Sequence, residues 1–176
     1  MYSESSPCTI KQVSFCVFSA MEEPRKRYIL LHDRVGEILG RFLPNRFVTK
    51  PIPTQLLKGE LLEALLENKQ PSDPTKIALC GINRKVRVEC GMEDVMKLTV
   101  QEADLLLAIS SLTLRYQICF DRKRLEFGKR LEYGSQVSVS VYGFSKKLPG
   151  VVWFKGELPS SAGTMFGIEL HVSVVI

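Results

Sequence analysis

The sequence predicts an α+β protein, in which a mixed helix and strand amino-terminal domain is followed by a small antiparallel β module. Alternating charged and apolar residues at 85–90 indicate a half-buried strand. Thr99 and Glu102 have the spacing of a capping box, which marks a helix start. After Tyr133 the chain changes to short β-prone runs separated by glycine. The predicted organisation is a tail at 1–23, the mixed domain at 24–130 and the β module at 131–176.

Composition indicates a globular chain that does not depend on disulfides or a metal. The 176 residues are 45% hydrophobic and 24% charged, and the mean hydropathy is +0.03. Lysine and arginine outnumber the acidic residues by 24 to 19, a net charge of +5 that suits an acidic partner such as nucleic acid, an anionic lipid surface or an acidic peptide tail. No apolar run reaches the roughly 20 residues of a membrane span, so no transmembrane segment is predicted.

Cysteine and histidine usage points away from a chemical site. An odd number of cysteines without a C-x-x-C pair argues against a secreted disulfide framework and against a zinc finger. We interpret them as small buried hydrophobes, namely Cys8, Cys16, Cys80, Cys90 and Cys119. His32 precedes Asp33 and could be a base oriented by a carboxylate, but a surface histidine is the favoured interpretation. We predict no catalytic residue, no cofactor and no metal.

The first part of the mixed domain is predicted from apolar runs and prolines. Residues 25–47 alternate short apolar runs with basic residues, which indicates a strand or a short helix packed on the next segment of the chain. Pro51 and Pro53 mark a boundary, after which Thr54 can cap a helix. A helix is predicted over residues 55–68, because leucine and alanine recur there at helical spacing.

The second part of the mixed domain alternates strands and helices. Strands are predicted at 76–80 and 85–90, joined by a turn at 81–83. The capping box predicts a helix over residues 100–110, broken at Ser110 and Ser111. The run at 115–120 is interpreted as a strand.

A charged stretch at 121–130 has two interpretations. Five basic side chains surround Leu125 and Phe127: Arg122, Lys123, Arg124, Lys129 and Arg130. A solvated connector between two folded units is favoured, because the stretch lacks glycine-rich spacing, a helix of clustered arginine and further stacking aromatics. The alternative is a basic nucleic-acid or anionic-surface binding protein.

The β module contains three predicted strands, at 136–142, 151–155 and 166–170. Strict alternation in the first strand indicates one solvated face. Two segments of this module, 148–156 and 161–170, resemble the first half of a CAP-Gly domain, the glycine-rich module of cytoskeleton-associated proteins. Several earlier segments resemble, in the same order, the region that precedes the first CAP-Gly domain of a deubiquitinase, so that the resemblance covers residues 21–171.

The resemblance implies the non-catalytic region of a ubiquitin-specific thiol protease. Such a deubiquitinase removes linear and non-degradative lysine-linked ubiquitin chains, dampens NF-κB signalling and associates with microtubules. No residue of this chain matches its catalytic boxes. The chain is therefore expected to be either a truncated relative or the front part of the active protein, with a cytoplasmic and cytoskeleton-associated location.

The resemblance also implies a docking groove for protein partners, namely acidic tails of tubulin or of adaptor proteins. The groove candidates are Trp153, Phe154, Met165 and Phe166, and two of the four are expected to point into the core by alternation. Met165 stands where the family often has a tryptophan. Gly150, Gly156 and Gly167 are carried over as structural turn residues.

The family's Gly-Lys-Asn-Asp-Gly-type loop is expected after Leu170, where this sequence continues from His171 to Ile176 without it. An incomplete β module would leave strand edges unpaired. Residues 131–176 are accordingly expected to be loosely packed or self-associating.

Overall fold

The structure, a computed structural model, describes residues 25–38, 52–65 and 73–171. The described residues form an α+β fold, as predicted, with mostly antiparallel strands and three α-helices. The strands are β1 (Arg27–Leu30), β2 (Arg34–Ile38), β3 (Ile52–Leu56), β4 (Leu61–Ala64), β5 (Lys76–Gly81), β6 (Val86–Gly91), β7 (Val95–Leu98), β8 (Gln136–Val139), β9 (Leu148–Leu158) and β10 (Ser161–Leu170). The helices are α1 (Val100–Leu107), α2 (Leu112–Phe120) and α3 (Arg122–Arg130), and a 3-10 turn spans Met92–Asp94.

The first seven strands form one antiparallel sheet in the order β3-β2-β6-β5-β4-β1-β7. The predicted strand pair β5 and β6 is confirmed, with Ile77 opposite Cys90 and Leu79 opposite Val88. Strand β1 lies between β4 and β7 and is buried on both faces. Residues 25–38 therefore form two strands rather than a helix, and the rest of the predicted 25–47 segment lies outside the described residues.

Two hydrophobic cores lie on opposite faces of β1, because successive side chains of a strand point to opposite faces. Tyr28 and Leu30 pack with Leu62, Leu79 and the apolar face of β6. Ile29 packs on the other face with apolar side chains of α1, α2 and α3, including Leu106, Cys119 and Leu125. The three helices thus cover the β1 region of the sheet.

The helix predicted over residues 55–68 is wrong. Its described part contains the end of β3, a turn and strand β4. Gly59 sets the turn, with a φ of 90° that is strained for other residues, and a side chain there would collide with the carbonyl oxygen of Leu112. Leu57, at the centre of the apolar stripe that the helical spacing predicts, is exposed, whereas Leu62, at the edge of that stripe, is fully buried. Most of the described leucines of this run thus belong to strands and pack against the sheet, and they do not form one face of a helix. Residues 66–68 lie outside the described residues.

Helix α1 begins at the predicted capping box. The Thr99 hydroxyl accepts a hydrogen bond from the Glu102 amide at 3.2 Å, and the Glu102 carboxylate accepts one from the Thr99 amide at 2.9 Å. The helix ends at Leu107, three residues before the predicted end, and the Ser110–Ser111 break follows.

The strand predicted at 115–120 is wrong, because these residues belong to α2. Ser111 caps that helix by accepting a hydrogen bond from the Leu114 amide at 3.3 Å. Arg115, only 2% exposed, projects inward from the helix towards backbone carbonyl oxygens. The β-prone composition of the run is outweighed by these tertiary contacts and the cap.

The predicted connector at 121–130 is also wrong, because it forms helix α3 rather than a solvated link. Asp121 caps the helix by accepting a hydrogen bond from the Arg124 amide at 3.1 Å. Leu125 is buried in the core beneath α1 and α2. Four of the five basic residues of the stretch are exposed on this packed helix, and Lys129 is half-buried.

Strands β8, β9 and β10 form a separate antiparallel sheet in the order β10-β9-β8, which confirms the small antiparallel sheet predicted after Tyr133. The turn end of β10 packs on α1. Gly163 has a φ of 86°, and a side chain there would meet the Asp104 carbonyl oxygen and the Ala108 amide. The second sheet is therefore in close backbone contact with the helical layer.

The predicted tail at 1–23 and the last residues, 172–176, lie outside the described residues. Within the described ranges no helix is long and apolar enough to cross a membrane.

Candidate protein-docking site

The four groove candidates lie on two adjacent strands but do not form one surface. Trp153 and Phe154 are in β9, and Met165 and Phe166 are in β10. Met165 and Phe166 line a large groove between the second sheet and the helices, whereas Trp153 and Phe154 lie outside that groove. The expectation that two of the four point into the core is not met, because both β9 residues are exposed and both β10 residues are half-buried.

Trp153 forms an exposed aromatic pair with Tyr133. Their ring centroids are 5.0 Å apart and the ring planes meet at 84°, which is a T-shaped contact. Trp153 is 51% exposed and Tyr133 is 69% exposed. Two large rings fixed against each other in solvent offer a stacking surface to a partner. We call Tyr133 and Trp153 the aromatic pair.

Lys155 places a positive charge beside the aromatic pair. It follows Trp153 by two residues in β9 and lies opposite Phe166, on the far side of a register shift that leaves Trp153 without a partner residue in β10. Its Nζ donates hydrogen bonds to the carbonyl oxygens of Lys129 and Leu131, at 3.1 and 2.7 Å, and lies 6.0 Å from the ring centroid of Phe166. An ammonium at the carboxyl end of α3 is stabilised by the free carbonyl groups there. The cation is thereby held in place while its side chain stays exposed.

Phe154 packs over the glycines that the resemblance singled out. It lies directly opposite Gly167, and a side chain at Gly167 would come within 2.9 Å of the Phe154 Cβ. A side chain at Gly156 would lie 3.2 Å from the same ring, and one at Gly150 would come within 2.6 Å of the Glu169 carbonyl oxygen. All three glycines lie inside strands β9 and β10 instead of in turns. Close approach of neighbouring groups, and not a turn conformation, requires them there.

The helix–sheet groove is a concave feature formed by three helices and two strands. It has a volume of about 810 Å³ and lies between α1, α2 and α3 on one side and β8 and β10 on the other. Its lining is mostly apolar and includes Leu105, Ile109, Leu114, Ile118, Leu131, Val137, Val139, Met165, Phe166 and Ile168. Such a lining can bind apolar side chains.

The basic residues of α3 are divided between ion pairs and solvent. Glu102, buried at the start of α1, has a carboxylate oxygen 3.1 Å from the Arg122 guanidinium and 3.8 Å from the Lys129 ammonium. Burial of Glu102 opposes its ionisation, but hydrogen bonds from Thr99 and the two cations outweigh it and lower the pKa of the carboxyl. Two of the five basic side chains are thus committed to holding α3 against α1, which weakens the nucleic-acid interpretation.

His32 does not pair with Asp33, the carboxylate considered from the sequence. Its Nδ1 lies 3.5 Å from a carboxylate oxygen of Asp94, whereas the Asp33 carboxylate accepts a hydrogen bond from the Lys58 amide at 2.8 Å. Asp94 is buried and also bonded to Arg34, and that hydrogen bond lowers the pKa of the Asp94 carboxyl despite burial. His32 is exposed and borders a structural ion pair, in line with the surface histidine favoured from the sequence.

The described cysteines lie in the cores, as the sequence interpretation expected. Cys80, Cys90 and Cys119 are buried thiols. Burial raises the pKa of Cys90 and of Cys119 to about 11. Across the described ranges, no cluster of histidine, cysteine, aspartate and glutamate side chains could hold a metal ion.

Two features of this region could not be predicted from the sequence. Tyr133 meets Trp153 only because the chain returns from the end of α3, and no local pattern pairs them. The groove depends on helices α2 and α3, which the sequence interpretation gave as a strand and a connector.

Comparison with known proteins finds sequence similarity within the mixed domain at 24–130. Residues 57–128 match the family model of the CYLD SH3 domain. The chain is 35% identical over 81 residues to ubiquitin carboxyl-terminal hydrolase CYLD of Homo sapiens and of Bos taurus, and 36% identical over 81 residues to that of Mus musculus. In each case the alignment covers 44% of this chain and 8% of the relative.

The chain thus spans about 8% of the length of the relatives that it matches. No solved structure matches it. The matched residues, 57–128, begin just after β3 and end within α3. They include the buried Arg115 and do not reach the second sheet. The CAP-Gly resemblance at 148–170 stays a prediction. On the strength of the family match and the shared sequence, the chain contains a CYLD-like region.

Proposed function

We propose that the chain is a non-catalytic docking segment of a CYLD-like ubiquitin carboxyl-terminal hydrolase. The observation that carries this proposal is the match of residues 57–128 to CYLD, next to a second sheet that presents the aromatic pair. The segment would attach the hydrolase to proteins with acidic tails, such as tubulin or adaptor proteins. Its place of action is the cytoplasm, with attachment to the cytoskeleton.

The chemistry of the aromatic pair supports an acidic, flexible partner. Exposed aromatic rings offer stacking area at a low cost in side-chain entropy. Lys155, two residues after Trp153 in β9, supplies an ammonium held at the carboxyl end of α3, and Arg130 lies exposed at the same end of that helix. A carboxylate-rich peptide with an aromatic or apolar residue can contact both features, and the net charge of +5 favours its approach.

In this proposal the catalytic step belongs to residues outside the ones described. Cys90 and Cys119 have raised pKa values, and Cys80 is buried, so the described cysteines are unsuited to act as nucleophiles. The hydrolase would remove linear and non-degradative lysine-linked ubiquitin chains and dampen NF-κB signalling, while this segment selects where it acts. The chain alone should not cleave a fluorogenic ubiquitin substrate.

A microtubule sedimentation experiment tests the docking role. The chain is incubated with intact microtubules and with microtubules from which a protease has removed the acidic tails. We expect the chain to pellet with intact microtubules, to remain in solution with tail-less ones, and to lose binding as salt rises, because exposed charges are screened.

Single substitutions assign the binding to the aromatic pair. Trp153→Ala should reduce pelleting several-fold, and Tyr133→Ala should also reduce it. Tyr142→Ala is the matched control, because Tyr142 is a fully exposed aromatic residue and no ring contact involves it among the described residues. Equal pelleting with tail-less microtubules would reject the proposal.

A further inference from the structure

The helix–sheet groove combines apolar walls with an uncovered opening. Leu114 on α2 and Phe127 on α3 line it and remain 40% and 52% exposed. Large apolar side chains left in solvent next to a groove mark a surface that another molecule can cover. Ile168 and Val137 supply the opposite wall from the second sheet.

The charged residues of the groove all have one sign. Arg124 on α3 and Lys147 between β8 and β9 line it, and both side chains are exposed. No carboxylate belongs to the described residues of the lining. Neither cation forms an ion pair within the described part of the chain. A partner that fills the apolar groove therefore meets two unpaired positive charges.

We propose that the helix–sheet groove binds an amphipathic segment of another protein, with apolar anchors flanked by carboxylates. The volume of about 810 Å³ accommodates several apolar side chains. The two cations stand on different elements, so they suit carboxylates spaced along a peptide better than the single head group of a fatty acid. This site is separate from Trp153 and does not rest on the proposed docking to acidic tails.

The probe is a short helical peptide with leucines at i, i+4 and i+7 and glutamates at both ends, because this spacing places the leucines on one face. It is added to the full chain labelled at isoleucine and methionine methyl groups, and NMR shifts are recorded. We expect saturable shifts of Ile109, Ile118, Ile168 and Met165, which line the groove. Ile29, buried in the core beneath the helices, should not move.

Two control peptides separate the apolar and the acidic contributions. Replacing the leucines by alanine should abolish the shifts, because the anchors are lost. Replacing the glutamates by glutamine should weaken binding about tenfold at low salt, because the ion pairs to both cations are lost.

Neighbouring lysines provide matched variants. Arg124→Glu and Lys147→Glu should each weaken binding severalfold, since each replaces attraction by repulsion. Lys123→Glu and Lys146→Glu change the net charge equally, but these residues are exposed neighbours that do not line the groove, and they should alter affinity less than about twofold.

Four results would overturn the proposal. The leucine peptide could leave the groove methyls unmoved, or all four lysine and arginine variants could weaken binding equally. Dodecanoate could move the same methyls while the peptide does not, which would assign the groove to a lipid. The methyls could shift with protein concentration alone, with dimers in sedimentation, which would assign it to a second copy. None of these results tests the binding of acidic tails to the aromatic pair. The failure of the groove proposal would therefore not be a failure of the proposed function.

Discussion

The Arg115 guanidinium donates a hydrogen bond to the carbonyl oxygen of Gly59 at 3.3 Å, joining residues 56 positions apart. Its Nε also lies 2.9 Å from the Leu106 carbonyl oxygen and 3.1 Å from that of Ile109. Arg115 thus fastens the carboxyl end of α1 and the turn before β4 to α2. Burial lowers the pKa of the guanidinium. Arginine side chains nevertheless stay charged in proteins.

Replacing Arg115 should destabilise the CYLD-like region more than any exposed arginine would. Arg115→Lys keeps the charge but removes the planar fork that reaches three carbonyl groups, and it should lower the free energy of unfolding by about 2 kcal/mol. Urea unfolding followed by circular dichroism measures the loss. Arg124→Lys, at an exposed position of α3, is the control and should change stability by less than about 0.5 kcal/mol. Equal losses in the two variants would show that the buried hydrogen bonds do not matter.

Gly59→Ala should be more destabilising than the same change at another glycine of positive φ. Gly59 and Gly143 have φ values of 90° and 88°, so alanine incurs a similar backbone strain of about 1 kcal/mol at each. Only at Gly59 does the added Cβ collide with backbone, at the carbonyl oxygen of Leu112, whereas nothing lies within 4 Å at Gly143. Thermal unfolding should show a clearly larger fall in Tm for Gly59→Ala, and similar falls would contradict the tight contact between the turn and α2.

Stability should depend on pH through Glu102. Because the folded state lowers the pKa of this carboxyl below its ordinary 4.5, its contribution is present above that value and is lost as pH falls through the lower, folded pKa. Glu102→Gln keeps a side chain that can complete the capping box but removes the charge, so it should cost about 1 kcal/mol at pH 7 and little in acid. Urea unfolding at a series of pH values from acid to pH 7 measures the free energy of unfolding of the wild type and of Glu102→Gln. Glu126→Gln is the control, since Glu126 is more exposed and pairs only locally with Lys129. If the difference in the free energy of unfolding between wild type and Glu102→Gln were the same at all pH values, Glu102 would not be the source of the pH dependence.

Cys90 and Cys119 should resist alkylation in the folded chain. With a pKa of about 11, about one thousandth of each thiol is ionised at pH 8, and both are buried. Iodoacetamide labelling followed by peptide mass spectrometry should show slow modification of both in buffer and rapid modification in guanidinium. Fast labelling in buffer would indicate that the two cores open readily.

Local signals predicted the elements whose pattern lies in consecutive residues. The capping box of Thr99 and Glu102 indicated α1, and the alternation at 85–90 indicated β6, which forms a hairpin with the preceding strand β5. The leucine-rich run after Thr54 has both helical and strand patterns, and the contact of Gly59 with α2 decides between them. A strand buried on both faces carries no clear periodicity.

The candidate site was predicted only in part. Trp153 was carried over from the CAP-Gly resemblance, and Lys155 was not singled out in the sequence. Tyr133 and the groove cations Arg124 and Lys147 reach their places through tertiary contacts. The missed helix α2 concealed the groove, because Leu114 and Ile118 line it only in a helical conformation. Buried Arg115, which fixes that helix, resembles any other basic residue in the sequence.

The most direct test of the docking proposal uses Trp153, which is the only tryptophan of the chain. A peptide with the sequence of an acidic tubulin tail is titrated into the full chain while tryptophan fluorescence is recorded. We predict a saturable change in intensity or emission maximum, weakened by salt and lost when the glutamates are replaced by glutamine. An unchanged spectrum at millimolar peptide, or an equal change with the glutamine peptide, would contradict the role of the aromatic pair as a docking site for acidic tails.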